Sequence, residues 1–340
     1  MRTQRALVRS AVVEVWRGSL VESRHEVHVA VADASGDLVA QAGDPALVTF
    51  ARSAVKPIQA LPLVDDGVAE RFGLDDEEMA LACASHSGEA AHVAVARRLL
   101  GKLGLDEHDL ACGAHAPFHR PSARALQEAG TAPGRVHNNC SGKHAGMLAL
   151  AQAHGWDVAG YEQAAHPVQR RMLSEMARWC DVSESDIVVG VDGCGVATFA
   201  VSLSSLAGAF ARLAGAAVAG EPGPRRVLDA MRAHPRLVAG TGRFCTALME
   251  ASSGRVVAKV GAEGVYGALV PDAGLGIALK VADGGRRAAE PALAAVLAVL
   301  DLLSPGELAE LRTFTEPVLV NTRGEEVGVV RAVMAPGRGT

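Results

Sequence analysis

Residues 255–281 read RVVAKVGAEGVYGALVPDAGLGIALKV. Residues 255–260, 265–270 and 275–281 are apolar and rich in β-branched side chains, and the first join is Gly261-Ala262-Glu263-Gly264. Three such runs separated by short Gly-containing turns predict an antiparallel meander. Downstream, residues 292–303 predict a helix stopped by Ser304-Pro305-Gly306, and residues 317–330 a hairpin around Thr322-Arg323-Gly324. At the other end of the chain, residues 12–16 and 27–32 read as strands, residues 33–37 as a turn, and residues 38–41 as a returning strand. The middle is mostly helical: helices are expected at 89–103, 122–129, 143–154, 167–179 and 197–214, with a short buried strand at 187–191 and a surface loop at 220–224. Strands and helices do not alternate, and no Gly-rich phosphate loop follows a strand. That argues against a doubly wound parallel sheet and for an α+β (α/β sandwich) arrangement. Its mostly antiparallel sheet is built from both chain ends, with a helical insertion over roughly 57–185, in a single domain spanning 1–340.

Composition narrows the function. Apolar residues make up 49% of the 340 residues and aromatic ones only 4%, so the core must rest on Ala, Val and Leu. The net charge of −5 is spread without a Lys/Arg block, which excludes the usual footprint of nucleic-acid or anionic-membrane binding. The most apolar stretch, 288–303, is broken by Glu290, Pro291 and Asp301 and reads as a buried helix, not a membrane span. Residues 1–10 lack the pattern of an export signal, so a cytoplasmic setting is expected. The six cysteines are then expected as thiols or metal ligands and not as disulfides.

Arginine outnumbers lysine 28 to five. Lysine differs from arginine in that a buried amine can lose its proton near neutral pH, so retained lysines merit attention. Lys56 belongs to Ser53-Ala54-Val55-Lys56, the one Ser-x-x-Lys in the chain. Helical spacing of three residues puts amine and hydroxyl on one face, where a neutral amine can take the hydroxyl proton. The plain alternative is a helix cap followed by a solvated lysine. Against it, a first-turn cation opposes the helix dipole, and the flanks are apolar. Ser85 lies in Ser85-His86-Ser87-Gly88-Glu89, and Lys259 in Lys259-Val260-Gly261 on a late strand. This order of Ser-x-x-Lys, middle serine and Lys-x-Gly resembles serine β-lactamases, penicillin-binding proteins and serine glutaminases. Cys140 and Cys194, each in a Gly-containing turn, read either as buried free thiols or as ligands of a shared soft metal. In the second case His137, His144 or, unusually, Lys143 would complete the set.

Seven segments together resemble the rhizobial-type L-asparaginase family over about residues 12–332. They are Arg17-Gly18 with Glu22-Ser23 and His25; Arg52-Ser53-Ala54-Val55-Lys56-Pro57; Ala84 to Glu89; His137 to His144; Val191-Asp192-Gly193-Cys194-Gly195; Gly240-Thr241-Gly242-Arg243-Phe244-Cys245; and Lys259 to Gly264. The resemblance implies a β-lactamase/glutaminase-like fold, a homodimer, and deamidation of L-asparagine to L-aspartate and ammonia. It implies two Ser-Lys tandems, Ser53 with Lys56 and Ser85 with Lys259. Zinc is implied on Cys140, Lys143 and Cys194, which would explain the retained Lys143. Arg52, His86, Asp192 and Cys245 are expected to line the substrate, with Cys245 prone to oxidation. The chain departs from the family in carrying Ala197 and Ser202 where proline is common. The rival expectations are a glutaminase or another serine amidohydrolase on the same scaffold, and a silent protein that binds zinc or an amino acid.

Overall fold

The computed structural model describes residues 8–336. In chain order the strands are β1 (Val8–Arg17), β2 (Leu20–Asp33), β3 (Leu38–Ala42), β4 (Val48–Phe50), β5 (Val188–Val191), β6 (Ala197–Ser202), β7 (Val257–Val260), β8 (Val265–Val270), β9 (Leu275–Val281), β10 (Val318–Val320) and β11 (Glu326–Pro336). The chain divides into two compact units. A sheet unit contains the residues up to Ala54, Val201–Gly215 and everything from Glu250; a helical unit contains Val55–Ala200 and Ala216–Met249.

The sheet unit begins with the strand expected near the N terminus. Ala11, Val13 and Val15 are buried while the residues between them are half-exposed, so β1 turns one face to the core. The strand order is β10-β11-β1-β2-β9-β8-β7, with β3 added on β2, and the register-defined pairs are antiparallel. The fold is therefore mixed helix and mostly antiparallel sheet, drawn from both chain ends as the meander predicted. β8 is buried along its whole length. The helix Leu203–Val218 approaches it so closely that a Cβ on Gly267 would meet the Phe210 ring, and one on Gly276 of β9 would meet the backbone of Ala207 and Ala211. The helix Arg286–Val299 packs against β1, β8, β9 and β11.

The helical unit is held by small-residue contacts of the same kind. Helix Asp76–Ala82 starts at a reciprocal cap between Asp75 and Glu78 and runs against helix Ser141–His154. Gly142 permits that approach, because a Cβ there would collide with the Leu81 carbonyl.

Four local expectations are corrected. Residues 197–214 are not one helix: Ala197–Ser202 form β6, paired antiparallel with β5, and the helix begins at Leu203. Thr198, Phe199 and Val201 favour the strand, and the turn before it closes through Asp192 N to Val196 O with Gly195 at φ 96°. β5 is not buried; Val188, Val189 and Val191 are 55%, 42% and 79% exposed, because β5 lies at an edge of its sheet. The expected loop at 220–224 instead opens the helix Pro222–Ala233, where Pro222 takes a first-turn position that needs no N–H donor. The C-terminal helix starts at Arg286, six residues early, with Pro291 inside it. Among the described residues no single helix is long and apolar enough to cross a membrane.

Candidate active site

Along the chain, the division between the two units falls inside the Ser53 motif, after Ala54. Arg52–Val55 is a 3-10 turn closed by Ala54 N to Ala51 O, and Lys56 opens the helix Lys56–Gln59, with Pro57 in its first turn. Arg52 has φ 49°, a left-handed conformation that costs a non-glycine residue energy and is kept only where the surroundings enforce it. Ser53, next in the chain, is half-buried. Within the sheet unit, the end of β7 comes up to this turn: a Cβ on Gly261 would lie 2.9 Å from Ala51 O and 3.4 Å from Ala54 N. The glycine two after Lys259 thus lets the strand's end lie against the serine turn. The Lys259 amine is buried and donates to Val260 O at 2.8 Å.

Within the helical unit, Lys56 is fully buried and its amine has three acceptors around it. They are the Ala84 carbonyl, Ser85 Oγ at 3.2 Å and Cys140 Sγ at 3.2 Å. Lys56 therefore meets Ser85, the serine that resemblance paired with Lys259, and also one of the candidate metal-binding thiols. Ser85 is fixed by its own N–H to Val238 O, and His86 N donates to Asn139 O.

His86 braces this end of the site. Its Nδ1 accepts from Gly88 N at 3.1 Å, so Nε2 carries the proton and donates to Ser141 Oγ at 2.9 Å; that hydroxyl in turn donates to Val136 O. His92 stacks on it, with ring centroids 4.9 Å apart. Burial holds the His86 imidazole well below its ordinary range, with the charges of His92 and Lys56 adding to it. Both ring nitrogens of His86 are thus engaged, which leaves neither for the substrate contact expected of it.

The thiol pair lies beside this network. Cys140 caps the helix that carries Lys143, and Cys194 sits in the turn after β5. Lys143 Nζ is 3.2 Å from Cys194 Sγ and 3.8 Å from Asp192 Oδ2, and Cys194 Sγ is 3.6 Å from Asp192 Oδ2. The Cys140 thiol is held well below its ordinary range, chiefly by a hydrogen bond from Cys194, with Lys56 and Lys143 helping against burial. Cys194 is pushed up correspondingly, chiefly by its hydrogen bond to Cys140 and by burial. Burial opposes the charge on Lys143, but Cys140, Cys194 and Asp192 more than offset it. Two convergent thiols and an amine, with a carboxylate behind, form a donor set that fits a soft tetrahedral cation. Among the described residues no three His, Cys, Asp or Glu side chains converge in this way, so Lys143 would have to be the third protein donor.

His144 is one of the residues, with His137 and Lys143, that the sequence offered to complete a metal set. His144 Nδ1 is 2.6 Å from the Tyr161 hydroxyl, which accepts from Ala111 N, while its Nε2 is buried without a partner among the described residues. Ser141 and Arg243 lay inside quoted motifs without an assigned part. Cys245 is buried in the helix Phe244–Ala251, in the part of it that belongs to the helical unit.

No curated protein matches the chain. Among solved structures, a β-lactamase from Mycobacterium bovis is similar at 17% identity and a TM-score of 0.40, over 80% of this chain and 94% of that one. A Bacteroides dorei protein assigned as a β-lactamase is similar at 12% identity and a TM-score of 0.35, over 81% and 85%. The profile of L-asparaginase II matches residues 13–332, nearly the whole chain, and takes in every segment described above: the chain belongs to the L-asparaginase II family of amidohydrolases.

Proposed function

We propose that the protein hydrolyses the side-chain amide of L-asparagine to L-aspartate and ammonia through a serine acyl-enzyme. The observation that carries this is the Lys56 amine, fully buried, 3.2 Å from Ser85 Oγ and three residues after Ser53 in a strained turn. In this reading Ser53 Oγ attacks the amide carbon and its proton passes to Lys56. The tetrahedral centre collapses, the C–N bond breaks, and ammonia leaves with that proton. Water then attacks the ester and returns a proton to Ser53, with Ser85 and Lys259 carrying protons and polarising the carbonyl. Asp192 would receive the substrate α-ammonium group. The hydrogen bond from Lys56 favours a second reading in which Ser85 itself is the nucleophile.

Cys140, Lys143 and Cys194 would hold a zinc ion, which supplies an open coordination position that can orient a polar ligand. Binding it would require Lys143 and the thiol pair to give up their protons. The homodimer is carried over from the family resemblance.

Ammonia release from L-asparagine and L-glutamine at equal concentrations tests the proposal. Asparagine is expected to be the better substrate. One methylene separates the two, so the preference should be of order ten- to a few hundredfold. Asparagine binding without ammonia release would instead make the protein a sensor or carrier.

A further inference from the structure

Two segments of the helical unit, Ser85 to Glu89 and Val238 to Arg243, are laced together. Ser85 N donates to Val238 O at 3.0 Å, and Ser87 Oγ donates to Ala239 O at 3.0 Å. Thr241 donates from N to Glu89 Oε1 at 2.7 Å and from Oγ1 to Glu89 Oε2 at 2.9 Å. Gly240, at φ 125°, is needed for this fit: a Cβ there would sit 2.5 Å from Glu89 Oε1 and 2.8 Å from Ser87 Oγ. Burial opposes the charge on Glu89, but the bonds from Thr241 offset it and keep the carboxyl below its ordinary range.

Arg243 ends the second segment. It is half-buried, and NH1 donates to Ser87 Oγ at 3.1 Å. The nearby carboxylate, Glu89, has both oxygens committed to Thr241, and among the described residues no acid pairs with Arg243. A guanidinium has five donors in a planar fork suited to a carboxylate. Here one donor goes to a neutral hydroxyl. A half-buried cation without a counter-charge is costly unless something else supplies the charge.

The substrate of the proposed reaction has such a group. In L-asparagine three bonds of about 1.5 Å separate the amide carbon from the α-carboxylate carbon, a span of about 4 Å. The Cα atoms of Ser85 and Ser87 can be at most about 7 Å apart. Lys56 meets Ser85, and Arg243 meets Ser87 two residues further on. One short segment thus carries the proton-transfer end and a free cation at a spacing that an amino-acid amide can bridge.

We propose that Arg243 binds the α-carboxylate of the substrate, and so selects amino-acid amides over simple amides. This rests on the amidohydrolase reading and adds a residue to it. The test compares wild type, Arg243→Met and Arg243→Lys on L-asparagine and on 3-aminopropanamide, which is asparagine without its α-carboxylate, taken as substrate or as competitive inhibitor. Arg243→Met should lower kcat/KM for asparagine roughly ten- to hundredfold, mostly through KM. Its constants for 3-aminopropanamide should stay within about twofold of wild type, and Arg243→Lys should fall between. Equal losses on both compounds would make Arg243 a brace for Ser87 alone and overturn the proposal, as would unchanged kinetics on asparagine. A wild type that hydrolyses neither compound defeats the amidohydrolase reading instead. Calorimetric binding of L-aspartate and β-alanine then decides Arg243: selective loss of L-aspartate binding in Arg243→Met supports it, and parallel or absent change overturns it.

Discussion

His86 and His92 are stacked, and each spends both ring nitrogens on neighbours: His92 Nδ1 accepts from Glu89 N, and Nε2 donates to Arg236 O. Burial lowers both below the ordinary imidazole value. The folded state therefore excludes protons that the unfolded chain takes up below about pH 6.5. Stability is full above that pH and falls on acidification, by up to about 1.4 kcal/mol per unit for each ring until its folded value is reached. Denaturant unfolding of wild type and His86→Gln between pH 7.5 and 5.0 should show a steeper acid loss in wild type, by close to one proton. Equal slopes would mean that His86 is charged in the folded protein. At this scale the sequence was legible in its rare residue type: five lysines in a chain with 28 arginines pointed to Lys56, Lys143 and Lys259, and all three are buried. It was silent on pairs far apart in the chain. Nothing in Ser-x-x-Lys spacing reveals that Lys56 reaches Ser85 and Cys140, because those contacts depend on how Asp76–Ala82 and Ser141–His154 pack.

The helices meet where glycine removes a side chain, and this makes stability testable at the scale of elements. In Gly142→Ala the new methyl would strike the Leu81 carbonyl, a backbone atom that cannot swing aside. The cost should be about 1–3 kcal/mol in denaturant unfolding, despite the better helix propensity of alanine. Gly101→Ala is the control: it lies in the helix Ala90–Lys102, with nothing within 4 Å of its Cβ, and should gain about 0.4–1 kcal/mol. Equal effects at the two positions would show that the helix contact is looser than described. Misread elements share a cause with this packing. Residues 188–191 are as apolar as a core strand yet lie at an edge, and Gly-Pro at 223–224 reads as a loop yet sits inside a buried first turn. Periodicity reports local preference, whereas position in the sheet and room against Asp65, which Gly223 provides, are set by distant residues.

At the scale of the whole chain, the meander at 255–281 and the strands read at 12–16 and 27–32 were enough to foresee a mostly antiparallel sheet drawn from both chain ends, because strands and helices do not alternate along the chain. Ser53 and Lys259 belong to the sheet unit, and Lys56, Ser85 and the thiol pair to the helical unit. The most direct test is ammonia release from L-asparagine by wild type, Ser53→Ala and Lys56→Met, each with its fold verified by circular dichroism. The account predicts turnover in wild type and a loss of at least about a thousandfold in both variants. Retained activity in Ser53→Ala would contradict it and move the nucleophile to Ser85, the hydroxyl that Lys56 already holds.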